Sequence, residues 1–212
     1  MGTYNPQEYI RRYAEEGGEY WRNVMIAHGG RGGNVQMSLL AVINPVCGDR
    51  SAVTFFNEHV AHRLPVDTLT TTERNAVSLI QSASKPLVVV LASGDSTLQE
   101  IVNQLPTTSP PQISFVLIPC GTANALYSSL FLPQEDAGPA YRLQSLQSFL
   151  DQRIPIQLSL ATVTFSSYST SSQLSVASVV VSTSLHAALV HDSETLREQH
   201  PGIERFVSFI RN

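Results

Sequence analysis

The chain has 212 residues, 42% hydrophobic and 14% charged, with a formal net charge of −4. That length holds one sizeable core, or one domain with part of another, and the mild acidity without a Lys/Arg cluster excludes nucleic acid as the main partner. No apolar run approaches the roughly 18 residues of a spanning helix, and two cysteines, Cys47 and Cys120, are too few for a disulfide scaffold and fit a reducing compartment.

Residues 1–36 carry charged and Gly-rich stretches such as Glu15-Glu16-Gly17-Gly18 and read as an N-terminal extension, partly flexible. The N-terminus lacks the basic, apolar and small segments of a signal peptide, so a cytoplasmic protein is expected. Met37 to Ile43 predicts the first buried strand, followed by the turn Asn44-Pro45-Val46-Cys47-Gly48-Asp49. Val53, Phe56, Val60 and Leu64 then recur at helical spacing. A short strand from Val66 to Thr70 leads through Thr71-Thr72-Glu73-Arg74 into a helix over Asn75 to Ala83, with Ala76, Ile80 and Ala83 inward.

Leu87 to Leu91 is a β-branched run and predicts a buried central strand, while Leu98, Ile101, Val102 and Leu105 predict the helix after it. Between them lies the loop Ser93-Gly94-Asp95-Ser96-Thr97. A strand, tight turn and helix of this kind aims backbone N–H groups and the positive end of the helix dipole outward, where they hold phosphate. A carboxylate at the apex of that loop, Asp95, suits holding Mg²⁺ or accepting a proton from an attacking hydroxyl; the alternative is an ordinary helix cap. After a Pro/Thr/Ser spacer from Pro106 to Pro111, Ile113 to Ile118 predicts another strand, ending in the second Gly-containing turn, Pro119-Cys120-Gly121-Thr122-Ala123-Asn124.

Strands alternating with amphipathic helices predict an α/β fold with a parallel sheet, whose ligand sits beyond the carboxyl ends of the strands. The turns at Asn44, Gly94 and Gly121 belong at that edge. A helix from about Pro139 to Asp151 closes this domain, residues 37–151. Ile156 to Phe165 and Gln173 to Ser182 then read as an antiparallel hairpin, the start of a β-rich second domain over residues 152–212 that is expected to be incomplete.

Together these turns resemble the catalytic domain of diacylglycerol and sphingosine kinases. The family's NPxxG turn stands here as Asn44-Pro45-Val46-Cys47-Gly48. Its GGDGT or SGDG turn with ExxN stands as Ser93-Gly94-Asp95-Ser96-Thr97 with Glu100-Ile101-Val102-Asn103, and its PCGSGNA-type turn as Pro119 to Ala125. Thr72-Glu73-Arg74 resembles the TER stretch of sphingosine kinases, and Asp192-Ser193-Glu194, Arg197, Gly202 and Arg205-Phe206 resemble positions in the tail.

The resemblance implies transfer of the γ-phosphoryl group of ATP, with Mg²⁺, to a lipid hydroxyl at a membrane surface. The protein would then be cytoplasmic and peripheral at membranes. Asp95 would be the catalytic carboxylate and a metal ligand. Asn44, Thr72, Gly94, Ser96, Thr97, Gly121, Thr122 and Asn124 would line the nucleotide, and Arg197 and Arg205, with Glu194 beside them, would reach its phosphates. Two departures stand out: Ser96 replaces a family glycine, which is costly where a turn needs positive φ or close approach, and Ala187-Ala188-Leu189-Val190 replaces the A-D-V-D stretch of sphingosine kinases. The alternatives are a non-catalytic nucleotide-binding relative and an NAD kinase, which shares the GGDGT logic.

Overall fold

The computed structural model describes residues 38–65, 68–105, 112–132, 138–158, 160–165, 173–178, 189–200 and 204–211. The expectations for residues 1–36, the spacer at 106–111 and the positions 187–188 fall outside these. Four strands form the main sheet: β1 (Ser38–Ile43), β2 (Leu69–Thr72), β3 (Leu87–Ser93) and β4 (Ile113–Pro119). Their order is β2-β1-β3-β4 and every pairing is parallel. A separate antiparallel pair, β5 (Ala161–Phe165) and β6 (Gln173–Ala177), completes an α/β fold with a small second sheet.

Alternation along the strands sorts side chains onto two buried faces. On one face Ala41, Ile43, Val88, Val90, Val116 and Ile118 pack beneath α1 (Ala52–His59) and α6 (Gln144–Leu150), through Phe55, Phe56 and Leu146. On the other, Leu40, Val42, Val89 and Leu91 pack against α2 (Glu73–Ser82), α3 (Asp95–Gln104) and α4 (Ala125–Leu130), through Ala76, Ile80, Leu98, Ile101 and Leu126. All seven residues of β3 are buried, as expected of a central strand covered on both sides.

Several boundaries differ from those the sequence predicts. The strand expected at Val66 to Thr70 lies at Leu69–Thr72, because it pairs in register with Leu40 to Ile43 of β1. Its last residue, Thr72, is also the N-cap of α2. The helix predicted from Pro139 to Asp151 is two helices, α5 (Gly138–Arg142) and α6, interrupted at the buried Leu143, whose backbone is not helical. The predicted loop Ser93 to Thr97 is reduced to one residue: Ser93 ends β3, Gly94 is the N-cap, and Asp95 already belongs to α3.

With this strand order the chain leaves β1 toward the face of α1 and leaves β3, its neighbour, toward the opposite face of α3. Diverging connections from adjacent strands open a crevice at their carboxyl ends. The turns after β1, β3 and β4 all surround it.

Candidate functional site

Backbone proximity holds the three turns together. Gly94 and Gly121 meet face to face: a Cβ built on Gly121 would lie 2.5 Å from the Cα of Gly94, and one on Gly94 2.9 Å from the Cα of Gly121. Gly48 has φ +52° and lies so close that a Cβ there would be 2.2 Å from the carbonyl oxygen of Cys120. Glycine at 94 is therefore required by contact with a neighbouring turn, since its own φ is −100°.

Asn44 organises the first turn. Its Oδ1 accepts the Val46 N–H at 3.0 Å, a local Asx turn, and its Nδ2 donates to Thr97 Oγ1 at 2.9 Å, joining the turns after β1 and β3 across the crevice. Thr97 is buried and Asn44 half-buried, so this bond satisfies an interior hydroxyl from the turn after β1. In the third turn Asn124 sits in the left-handed region, φ 50°, and closes a reciprocal pair with Gly121: the Gly121 N–H donates to Oδ1 and Nδ2 donates to the Gly121 carbonyl, both at 2.7 Å. Thr122 lies within that turn, half-buried.

Asp95 has a position the sequence does not reveal. Its Oδ2 accepts the Ala125 N–H at 2.7 Å and its Oδ1 the Leu126 N–H at 3.2 Å, so the carboxylate caps α4, thirty residues away in sequence, rather than its own helix. The loop carboxylate thus has a capping role, though on a helix other than the one it begins. Helix α3 begins at Gly94, which has no side chain to cap it, so the orphan N–H groups of a first helical turn are left facing the edge where the turns gather. Ser96 is exposed on α3 and is absent from the residues with positive φ, so the serine meets no backbone strain there.

Thr72 lies at the same edge, exposed, opposite Ile43 in register and so one strand beyond the Asn44 turn. Glu194, Arg197 and Arg205 form a cluster of their own. The guanidinium of Arg197 approaches Glu194 to 2.6 Å without aiming its Nε–H at the carboxylate, and Arg205 Nη1 lies 3.4 Å from the other oxygen. Arg205 is buried, and that burial with Arg197 beside it pushes its guanidinium below the ordinary arginine value. Among the described residues, no hydrogen bond or ion pair joins this cluster to the three turns, and no three His, Cys, Asp or Glu side chains gather to hold a metal.

Arg142, at the end of α5, was not singled out by any sequence signal. Its Nε donates to the Pro119 carbonyl and its Nη2 to Cys120 Sγ, both at 2.9 Å, and its guanidinium stacks 3.6 Å over the Phe55 ring. It rivets the end of β4 to α1. Hydrogen bonds from Ser51, helped by the Arg142 charge and opposed by burial, hold the Asp49 carboxyl below its usual value. Burial pushes the Cys47 thiol up to about 12 and raises Cys120 as well.

A parallel sheet with its glycine turns gathered where adjacent connections diverge is the frame of an open α/β ligand-binding domain. The profile of the diacylglycerol kinase catalytic domain matches residues 38–179, and the chain belongs to that family. A solved structure from Bacillus anthracis str. Sterne, of a “putative diacylglycerol kinase”, is similar at 20% identity with a TM-score of 0.38, over 56% of this chain and 40% of that one. The chain thus spans less than half the length of that relative. No match was found among curated proteins.

Proposed function

We propose that the chain carries the nucleotide-binding part of an ATP-dependent lipid kinase that transfers the γ-phosphoryl group to a lipid hydroxyl. The observation that supports it best is the gathering of the Asn44, Gly94 and Gly121 turns around the uncapped first turn of α3, in a member of this family. The division into a nucleotide-binding domain over 37–151 and a β-rich lipid-binding domain from 152 to 212 is part of the same proposal.

The first-turn N–H groups of α3 would hold phosphate oxygens, and the bare Cα of Gly94 would let them approach. Asp95 serves two N–H groups and retains further lone pairs, so it fits a place in the Mg²⁺ shell, where one or two carboxylates and the substrate phosphates suffice. Bound Mg²⁺ supplies charge neutralisation on the phosphoryl group. Thr72, Thr122 and Asn124 would line the nucleotide; Arg197 and Arg205 would neutralise its phosphates. The acceptor proposed is a neutral lipid alcohol, of diacylglycerol or ceramide type, because the stretch Ala187 to Val190 offers no carboxylate to a sphingoid ammonium. The site would work from the cytoplasmic side at a membrane surface.

The engagement of both Asp95 oxygens favours a second reading, a relative that binds nucleotide without transferring phosphate. Titration calorimetry with Mg·ATP and a radiolabelled-ATP assay in matched micelles of diacylglycerol, ceramide and sphingosine separate the two. The kinase reading expects label in a neutral lipid. Binding without label in any lipid establishes the second reading, and preference for sphingosine overturns the proposed acceptor.

A further inference from the structure

Helix α3 carries a second polar face, away from the turns. Gln99 and Asn103 lie one turn apart on it and therefore project together. The Asn103 carboxamide behaves toward β6 as a peptide group of a neighbouring strand would: Oδ1 accepts the Val176 N–H at 2.7 Å, and Nδ2 donates to the Val176 carbonyl at 2.8 Å. Oδ1 also accepts the Ser175 hydroxyl at 2.8 Å, and Nδ2 is shared with the Gln99 carbonyl. Gln99 continues the pattern two residues along the chain, at Ser178 just past β6. Its Oε1 accepts the Ser178 N–H at 2.8 Å and the Ser178 hydroxyl at 2.7 Å, while its Nε2 donates to the Val176 carbonyl.

Val176 in β6 and Ser178, one residue past its end, present their backbone groups to the same side, as the period-two alternation of an extended chain carries on. Val176 faces Thr162 of β5 in register, yet its own N–H and C=O are taken by α3, so these bonds occupy the edge of β6 opposite β5. An isolated two-stranded hairpin is marginal in water, and an open edge invites foreign strands. Two carboxamides on one helix relieve both conditions.

The same helix starts at the Gly94 turn, with Asp95 on α4 and Thr97 tied to Asn44. We infer that Gln99 and Asn103 are positioning residues, a clamp that fixes the β5–β6 hairpin at a set distance from the phosphate-facing end of α3. This rests on the lipid-kinase reading. The clamp would hold the acceptor-bearing hairpin against the nucleotide, where a displacement of about 1 Å is enough to slow transfer on the order of a hundredfold. Nothing in it touches the nucleotide turns, so its loss separates acceptor transfer from nucleotide binding.

The experiment takes the full chain with Asn103→Ala, the Gln99→Ala/Asn103→Ala double variant, and Asn103→Asp, which keeps the acceptor and loses the donor. Amide exchange, Mg·ATP affinity, transfer to micellar diacylglycerol and hydrolysis of ATP by water are measured on each. Exchange at Val176 and Ser178 is expected to rise at least tenfold while β3 stays protected, which separates release of the hairpin from unfolding. Nucleotide affinity and hydrolysis stay within about twofold, kcat/KM for the lipid falls at least tenfold, and Asn103→Asp, whose second carboxylate oxygen would face the Val176 and Gln99 carbonyls, falls at least as far as Asn103→Ala. Unchanged exchange in the double variant overturns the clamp. Increased exchange with undiminished lipid transfer overturns the positioning role. If the unaltered chain neither transfers nor hydrolyses, the kinase reading fails, the positioning role fails with it, and exchange alone decides the clamp.

Discussion

Asp95 places a negative charge on the first two N–H groups of α4, so its removal bears on the fold as well as on chemistry. Asp95→Ala leaves both donors without their acceptor and should destabilise by about 0.5–2 kcal/mol, the range for loss of an N-cap. Asp95→Asn keeps one side-chain oxygen and should lose less. Thermal scans of the two variants check this; equal midpoints for both and the parent would mean that the carboxylate does not cap α4 in solution. Cys47 offers a test by titration. Its thiol is held protonated by burial, raised from 9.0 to about 12. A raised value in the folded state means that stability is complete below the unfolded pKa and falls as pH climbs from 9 toward 12. Cys47→Ala should therefore flatten the decline in urea midpoint between pH 9 and 11, although buried Tyr127, also raised to about 12, keeps part of the slope.

Among the elements, the strands were the most legible part of the sequence, because Leu87 to Leu91 is an unbroken apolar run, wholly buried, and Ile113 to Ile118 is interrupted only by Ser114. The gathering of the turns followed from their place after those strands. What could not be read was the use of each turn residue, which depends on partners far along the chain: Thr97 on Asn44, Asp95 on Ala125 and Leu126, Gly94 on Gly121. Ser96 shows the limit well. A glycine-to-serine change in a motif suggests backbone strain, but the residue lies inside α3, where a side chain is at home. The true steric demand is between turns. Gly121→Ala forces a Cβ to within 2.5 Å of the Gly94 Cα, a backbone contact that no rotamer change relieves. A loss of about 1–3 kcal/mol or more is expected from such overpacking, read as a shift in urea midpoint at constant slope.

For the whole molecule, the crevice, its three turns and the α3 clamp make one connected assembly, from the Asn44 turn through α3 to the β6 edge. The same strand order that opens the crevice also dictates when the sheet can exist. β1 is flanked by β2 and β3, and its pairing with β3 runs from Ser38 against Leu87 to Ile43 against Ala92. During synthesis β1 emerges nearly 50 residues ahead of the strand that covers its inner edge. At roughly 5–20 residues per second a ribosome leaves that edge, with its unpaired N–H and C=O groups, open for about 2–10 seconds, long enough for chaperones or a second nascent chain to find it. Ribosome-arrested chains that expose residues only up to Ser82 should be cut readily by protease, and chains exposing through Arg142 should resist it. Resistance in the shorter set would mean that β1 and β2 hold together without their central partner.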